Sequence, residues 1–297
     1  MDLRESLRGI TPPIVTPFDD DGSVDETALE AVLDHVLEGG VDAIFPNGTT
    51  GEFASLSHAE RRRVLEVTVD RSAEYSVPVL AGAAATTVEE TLAHVEDAAD
   101  AGADAAVVVA PYFHTANDPA GNRAFFERVA DESPLALLLY NIPACVGCEI
   151  APETVEALAA HDSVIGIKDS SGDLAYLLSL VRRTPDDFLV LQGWDSLLVP
   201  ALRMGADGGI NALSNVFPDI YSEIVEKVRE DRGRTLQAEA ITPLFEVCET
   251  YGFAPVTKAG LVAEGALRSD AVRPPLVSVP AEGRVAVEEA VEGARSV

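Results

Sequence analysis

Short, nearly continuous apolar runs alternate with longer amphipathic segments along most of the chain. The runs cover residues 10–18 ("ITPPIVTPF"), 42–48 ("DAIFPNG"), 77–84 ("VPVLAGAA"), 104–112 ("DAAVVVAPY"), 134–143 ("PLALLLYNIP"), 164–169 ("VIGIKD"), 188–194 ("FLVLQGW") and 208–214 ("GGINALS"). A strand with one solvated face alternates apolar and polar residues. An unbroken run instead predicts a strand covered on both faces, as in a parallel sheet. Between the runs the apolar positions recur at helical spacing, with start and stop signals in place. Ser57 precedes "HAERRRVLEVTVD" with Glu60 in the capping-box position, and Thr87 precedes "VEETLAHVEDAADAG" with Glu90 likewise. Gly39 and Gly102 stand where helices should stop.

Eight strand–helix units within about 230 residues match the size of a (β/α)8 TIM barrel. A doubly wound sheet would show the same alternation, but no G-x-G-x-x-G follows the first strand and the even spacing leaves no switch point. After residue 230 the strand signal ends, and "RTLQAEAITPLFEVCETYG", "APVTKAGLVAEGAL" and "PAEGRVAVEEAVEGARSV" read as helices. The prediction is an α/β chain with a catalytic barrel over residues 1–230. A helical extension over 231–297 would pack on the barrel or on a neighbouring subunit.

Composition narrows the partners. The 297 residues are 47% hydrophobic, enough for a large core, and carry a formal net charge of −29. An acidic surface repels nucleic acid and anionic membranes, so neither is expected as a partner. The carboxylates are scattered through periodic segments such as "SVDETALEAVLDHVLEGG", which points to a solvated surface suited to a high-salt cytoplasm. No 18-residue apolar span and no apolar N-terminal stretch occur, so a soluble cytoplasmic protein is expected. Cys145 and Cys148 form a single C-x-x-C with no second pair and no nearby histidine. They read as ordinary loop thiols, and no metal and no cofactor are expected.

Reactive side chains in a β/α barrel sit at the carboxyl ends of the strands. Reading only those ends gives "NGTTGE" (47–52), Pro111 to His114, Tyr140-Asn141, Lys168-Asp169-Ser170 and Gln192 to Asp195. Lys168 is the one lysine in that set, in a chain with three lysines against eighteen arginines. A lysine at the end of a buried strand is costly to desolvate in its charged form, and a neutral amine can attack a carbonyl to form a Schiff base. Pairing with Asp169 or another carboxylate is the structural alternative. The glycine-flanked Thr49-Thr50 turn offers backbone N–H groups and hydroxyls to a carboxylate, and the Tyr140 phenol can move a proton. An amine, a phenol and a carboxylate cradle together would process a 2-oxo acid such as pyruvate through an enamine.

"NGTTGE", "YNIP" and "IKDSSGDL" in this order resemble the dihydrodipicolinate synthase/N-acetylneuraminate lyase family of pyruvate-dependent class I aldolases. The likeness extends from "GITPPIVTPF" through "GADGGINALSNVFP". It implies that Lys168 forms the Schiff base, that Tyr140 handles protons at the aldol bond, and that Thr49 and Thr50 hold the pyruvyl carboxylate. It implies further substrate contacts from Ser170, Gly193 and Ile210, and a homotetramer. Two positions depart from the family pattern. Cys145 stands where dihydrodipicolinate synthases carry an arginine for the carboxylate of aspartate semialdehyde, and Phe113 stands where many members carry a relay tyrosine. "IKDSSGDL" and "YNIPA" look closest to aldolases that cleave 2-keto-3-deoxygluconate or its 6-phosphate to pyruvate and a glyceraldehyde, a reaction of Entner–Doudoroff-type routes. The alternatives are 4-hydroxy-tetrahydrodipicolinate synthase, N-acetylneuraminate lyase, a deoxy-oxo sugar acid dehydratase, or a catalytically silent 2-oxo-acid-binding barrel.

Overall fold

The computed structural model describes residues 3–19, 21–114 and 118–297. Six parallel strands pair in chain order: β1 Leu80–Gly82, β2 Ala105–Val109, β3 Ala136–Asn141, β4 Val164–Asp169, β5 Leu189–Gln192 and β6 Gly208–Gly209. Their residues are buried almost throughout, as the unbroken apolar runs require. Helices lie between consecutive strands, among them Val88–Ala101, Pro119–Glu132 and Leu174–Arg183.

The two earliest runs behave differently from the expectation. Residues 10–18 and 42–48 form isolated parallel bridges, Ile10 to Gly209, Pro13 to Phe45 and Ile44 to Val79, rather than continuous ladders. Pro12, Pro13, Pro17 and Pro46 supply no N–H, so an unbroken ladder is chemically unavailable there. The N–H groups that remain do bond across: Thr11 to Gly209 O, Ile14 to Phe45 O and Ile44 to Pro78 O, each at 2.9 Å. These bridges link β6 back to β1 and close the eight-membered barrel. The last strand also ends early, at Gly209, and continues as a 3-10 turn over Ala212–Asn215.

Helix boundaries follow the sequence signals. Ser57 and Glu60 form a reciprocal capping box, Thr87 accepts from Glu90 N–H, and Gly39 and Gly102 terminate their helices. A recurring G-x-D triplet then starts three strands: Gly40-Val41-Asp42, Gly102-Ala103-Asp104 and Gly205-Ala206-Asp207. Each glycine has positive φ, of 81°, 90° and 107°. Each aspartate exchanges two hydrogen bonds with the preceding strand position. Asp42 N–H donates to Ile10 O while its carboxylate accepts from Ile10 N–H; Asp104 does the same with Val79 and Asp207 with Val190. The triplet is thus a stitch at the amino-terminal face of the barrel, away from the strand ends that build the site.

Past residue 230 the chain is helical: Asp231–Thr235, a π-helical stretch Leu236–Ile241, Thr242–Tyr251, Phe253–Ala263 and Ala281–Arg295. Leu244, Phe245, Val256 and Leu261 share one apolar cluster with Ile14, Leu29, Leu33 and Phe217 of the preceding part. The extension therefore packs on the barrel of its own chain. No helix of the described residues is long and apolar enough to cross a membrane.

Candidate active site

In the register of β3 against β4, Tyr140 pairs with Lys168 and Asn141 with Asp169. Successive strand residues face opposite ways, so the two dipeptides split into two functions. Tyr140 and Lys168 line one cavity of about 170 Å³, together with Thr49, Thr50, Ser170, Gly193 and Ile210. All seven residues singled out from the sequence therefore meet at one place. Asn141 and Asp169 turn the other way and tie the strands together. Asn141 Nδ2 donates to Asp169 Oδ1 at 2.8 Å, and the Ser171 N–H and hydroxyl add bonds of 3.1 and 3.0 Å. Burial pushes the Asp169 carboxyl up to about 6 despite these donors.

Lys168 is 3% exposed, yet among the described residues it makes no salt bridge. Its Nζ lies 4.1 Å from the centre of the Tyr140 ring and 5.1 Å from that of Phe45. Pairing with Asp169, the structural alternative for this lysine, does not occur. Gly193 makes room for the amine: a Cβ there would stand 2.1 Å from Ser170 Oγ and 2.9 Å from Lys168 Cε. The Ser170 hydroxyl is buried with no protein partner, so its hydrogen-bonding capacity is open toward a ligand in the cavity.

The Thr49-Thr50 turn is held from both sides. Asn47 and Glu52 take positive φ of 57° and 56°, unusual for residues with a Cβ. Gly51 and Glu52 N–H close the turn on Gly48 O and Thr49 O, the Thr16 hydroxyl donates to Gly51 O at 2.8 Å, and Asn47 Nδ2 donates to Arg61 O. The N–H groups of Thr49 and Thr50 have no hydrogen-bond partner among the described residues.

Of the other residues at the site, Trp194, Asp195 and Tyr112 belong to the strand ends read above, whereas Ile142, Ala144, Cys145 and Phe253 lie outside them. Ile142, Ala144, Cys145, Trp194 and Phe253 supply the apolar part of the wall. Cys145 is no loop thiol: Pro143 starts and Gly147, at φ 83°, stops a one-turn helix that carries it to the rim. It is exposed at the rim, where the neighbouring protein removes enough water to push its thiol above the ordinary range. Asp195, fully enclosed, accepts from the Tyr221 hydroxyl at 2.6 Å and Leu213 N–H at 2.9 Å. A larger, mainly apolar cavity of about 430 Å³ adjoins this one through Thr49, Ile142, Cys145 and Phe253. Tyr112 lines it, whereas Phe113 is 90% exposed. Among the described residues one group, His58, His94 and Asp97, brings metal-ligand atoms close together. Arg61 already meets His94 Nε2 at 2.9 Å and Arg62 meets Asp97 at 3.2 Å, and two guanidinium groups disfavour a cation there.

Comparison with known proteins identifies the family. The sequence profile of the dihydrodipicolinate synthetase family matches residues 6–294. A 4-hydroxy-tetrahydrodipicolinate synthase of Methanopyrus kandleri is 38% identical over 277 residues, which cover 91% of this chain and 90% of that protein. Among solved structures, a monomeric dihydrodipicolinate synthase variant superposes with a TM-score of 0.90 at 28% identity, over the whole of both chains. The prophage protein YagE from E. coli K12, of the dihydrodipicolinic acid synthase family and solved in complex with pyruvate, has a TM-score of 0.88 at 30% identity. That match covers 97% of this chain and 98% of the other.

Proposed function

The chain belongs to the dihydrodipicolinate synthetase family of Schiff-base lyases and synthases, and we propose that its Lys168 condenses with the carbonyl of pyruvate, or of a 2-oxo acid that releases pyruvate. The observation that carries this reading is an enclosed lysine with no carboxylate partner, 4.1 Å from the Tyr140 ring, in a cavity it shares with the Thr49-Thr50 turn. The amine adds to the carbonyl and water leaves, giving an iminium. Loss of a proton from the adjacent carbon gives an enamine, which attacks an aldehyde; cleavage is the reverse. Tyr140 moves the proton at the bond formed or broken. The N–H groups of Thr49 and Thr50 hold the carboxylate, and Ser170 hydrogen-bonds the substrate. Gly193 and Ile210 shape the wall. Tyr112 stands at the adjoining cavity with Thr49, where it can take over the relay that Phe113 cannot serve.

The test is reduction with borohydride in the presence of pyruvate, followed by mass spectrometry. An adduct on Lys168 is expected, and Lys168→Met should abolish it. A native enzyme that gives no adduct, or one on another residue, would refute the proposal and favour a silent binding barrel.

For the second substrate, the names of the relatives support 4-hydroxy-tetrahydrodipicolinate synthase, with aspartate semialdehyde as the aldehyde. One observation favours a second reading. Cys145 lines the cavity where an arginine would bind that aldehyde's carboxylate, and Lys168 is the only basic side chain among the residues lining the cavity. A thiol cannot make the bidentate pair. The second reading is therefore cleavage of a 2-keto-3-deoxy sugar acid, ketodeoxygluconate or its 6-phosphate, to pyruvate and a glyceraldehyde. Assay of each substrate with the same enzyme, at high salt to screen the net charge of −29, separates the two. We further propose a cytoplasmic homotetramer, which sedimentation at high salt would test.

A further inference from the structure

In a chain that uses arginine almost everywhere, each of its three lysines needs a reason. Lys168 lies in the cavity, and Lys227 sits half-exposed beside Glu226 and Glu230. The third, Lys258, is fully enclosed, and the aldol chemistry has no use for it. Its Nζ meets Glu52 Oε1 at 2.5 Å and Ala271 O at 2.7 Å and stands 4.1 Å from the centre of the Phe18 ring. A compact ammonium directs separate donors to Glu52 and to Ala271, which the flat fork of an arginine fits poorly.

Its partner is not an ordinary residue. Glu52 follows the Thr49-Thr50-Gly51 turn directly, takes φ 56°, and donates its N–H to Thr49 O at 3.1 Å. Its second carboxylate oxygen accepts from Arg273 N–H at 3.0 Å. Arg273 in turn bonds Ser55 O and the Glu60 carboxylate, on the far side of the same turn. Lys258 lies on the helix Phe253–Ala263, whose first residue lines the catalytic cavity. One rigid helix therefore touches the site twice, once with Phe253 at the wall and once through Lys258 behind the turn.

A buried ion pair adds little net stability over apolar residues of the same volume, so its retention argues for a positional task. We propose that the Lys258–Glu52 pair is a positioning device that sets the Thr49-Thr50 turn for the substrate carboxylate, making the C-terminal extension a working part of the active site. Glu52 is held at left-handed backbone angles by bonds from Lys258 and Arg273. With its carboxylate released, the residue relaxes toward ordinary φ and draws Thr49 with it through the shared hydrogen bond. The carboxylate cradle then loses alignment while Tyr140 on β3 and Lys168 on β4 stay in place.

This inference rests on pyruvate condensing with Lys168, and the experiment keeps the two apart. Borohydride trapping of pyruvate is measured against pyruvate concentration for the native enzyme and for the double variant Glu52→Gln/Lys258→Met. The double change removes both charges together and so avoids an unpaired buried ion. The expected result is a rise of about tenfold or more in half-saturating pyruvate, with trapping at saturation within about twofold of native. Glu52→Gln alone keeps the volume and the bond to Arg273 N–H but leaves the enclosed Lys258 without its carboxylate, so it should raise half-saturation by about tenfold or more as well, with a loss of thermal stability that the double variant avoids. The control is Arg232→Met, elsewhere in the extension, which breaks the Arg232–Glu223 pair and should change nothing. A native enzyme that traps no pyruvate refutes the Schiff-base reading itself. Native trapping with unchanged half-saturation in both Glu52 variants overturns the positioning role, as does an equal shift in the Arg232 control.

Discussion

Replacing Gly193 by alanine adds one methyl group at the point where the site is tightest. The new Cβ would lie 2.1 Å from Ser170 Oγ, 2.9 Å from Lys168 Cε and 3.0 Å from Asp169 O. Carbon atoms pack at about 3.5 Å or more, so Lys168 Cε must retreat by about half an ångström and Ser170 Oγ by more than 1 Å. The backbone cannot yield instead, because Gly193 N–H donates to Asp169 O at 2.7 Å and β4 pairs with β5 through Asp169 and Gln192. The side chains must move. Overpacking of this kind costs about 1–3 kcal/mol of stability, while misplacing a reacting amine by up to 1 Å costs about a hundredfold in rate. The rate of pyruvate trapping on Lys168 should therefore fall by about ten- to a hundredfold, with the midpoint of thermal unfolding down by only a few degrees. Adding Ser170→Ala removes the nearest clash and leaves that with Lys168, so recovery should be partial. An unchanged trapping rate in Gly193→Ala would refute the steric argument. Complete recovery in the double variant would place the effect at Ser170 and not at the amine.

Three further outcomes test other parts of the molecule. Cys145→Arg supplies the missing cation, and a charge-assisted bond of about 1.5–3 kcal/mol should raise turnover of aspartate semialdehyde by about ten- to a hundredfold while leaving the pyruvate adduct intact. Native activity on that aldehyde, with no gain in the variant, would remove the case for a sugar acid. Asp169 is raised from 3.8 to about 6, so the folded state holds its proton more tightly than the unfolded chain. Its contribution to stability is present below about pH 4 and is lost as the pH rises to 6, by about 3 kcal/mol in all. Asp169→Asn keeps the contacts without that loss, and stability measured from pH 4 to 7 should rise relative to native as the pH increases. His94, pushed down to about 4 by burial beside Arg61, changes native stability in the opposite sense over the same range, so the difference between the two proteins is the quantity to read. Asp104→Ala leaves Val79 N–H without its side-chain acceptor and should cost about 1–3 kcal/mol in denaturant unfolding, with half-saturating pyruvate unchanged.

What could be seen in the sequence divides along the range of the contacts involved. Tyr140, Lys168 and the Thr49-Thr50 turn stand where an apolar run gives way to polar residues. In a parallel barrel that local feature is also a position in space, so they could be placed together without coordinates. The sequence holds four G-x-D triplets, and which of them form the stitch depends on the strand each aspartate meets: Asp195 of Gly193-Trp194-Asp195 instead accepts from Tyr221 and Leu213. The irregular first strand could have been foreseen from Pro12, Pro13 and Pro17, since a residue without an N–H cannot continue a ladder. The apolar wall of the cavity obeys no such rule throughout. Cys145 reaches it on a one-turn helix and Phe253 from the C-terminal helices. Lys258 and Glu52 are 206 residues apart, and no periodicity links them. Yet the scarcity of lysine applies to Lys258 as strongly as to Lys168. In a chain with three lysines against eighteen arginines, each one in the interior has a task that a guanidinium fits poorly: at 168 a primary amine in the cavity, proposed above to condense with a carbonyl, and at 258 a cation small enough to be enclosed behind the turn.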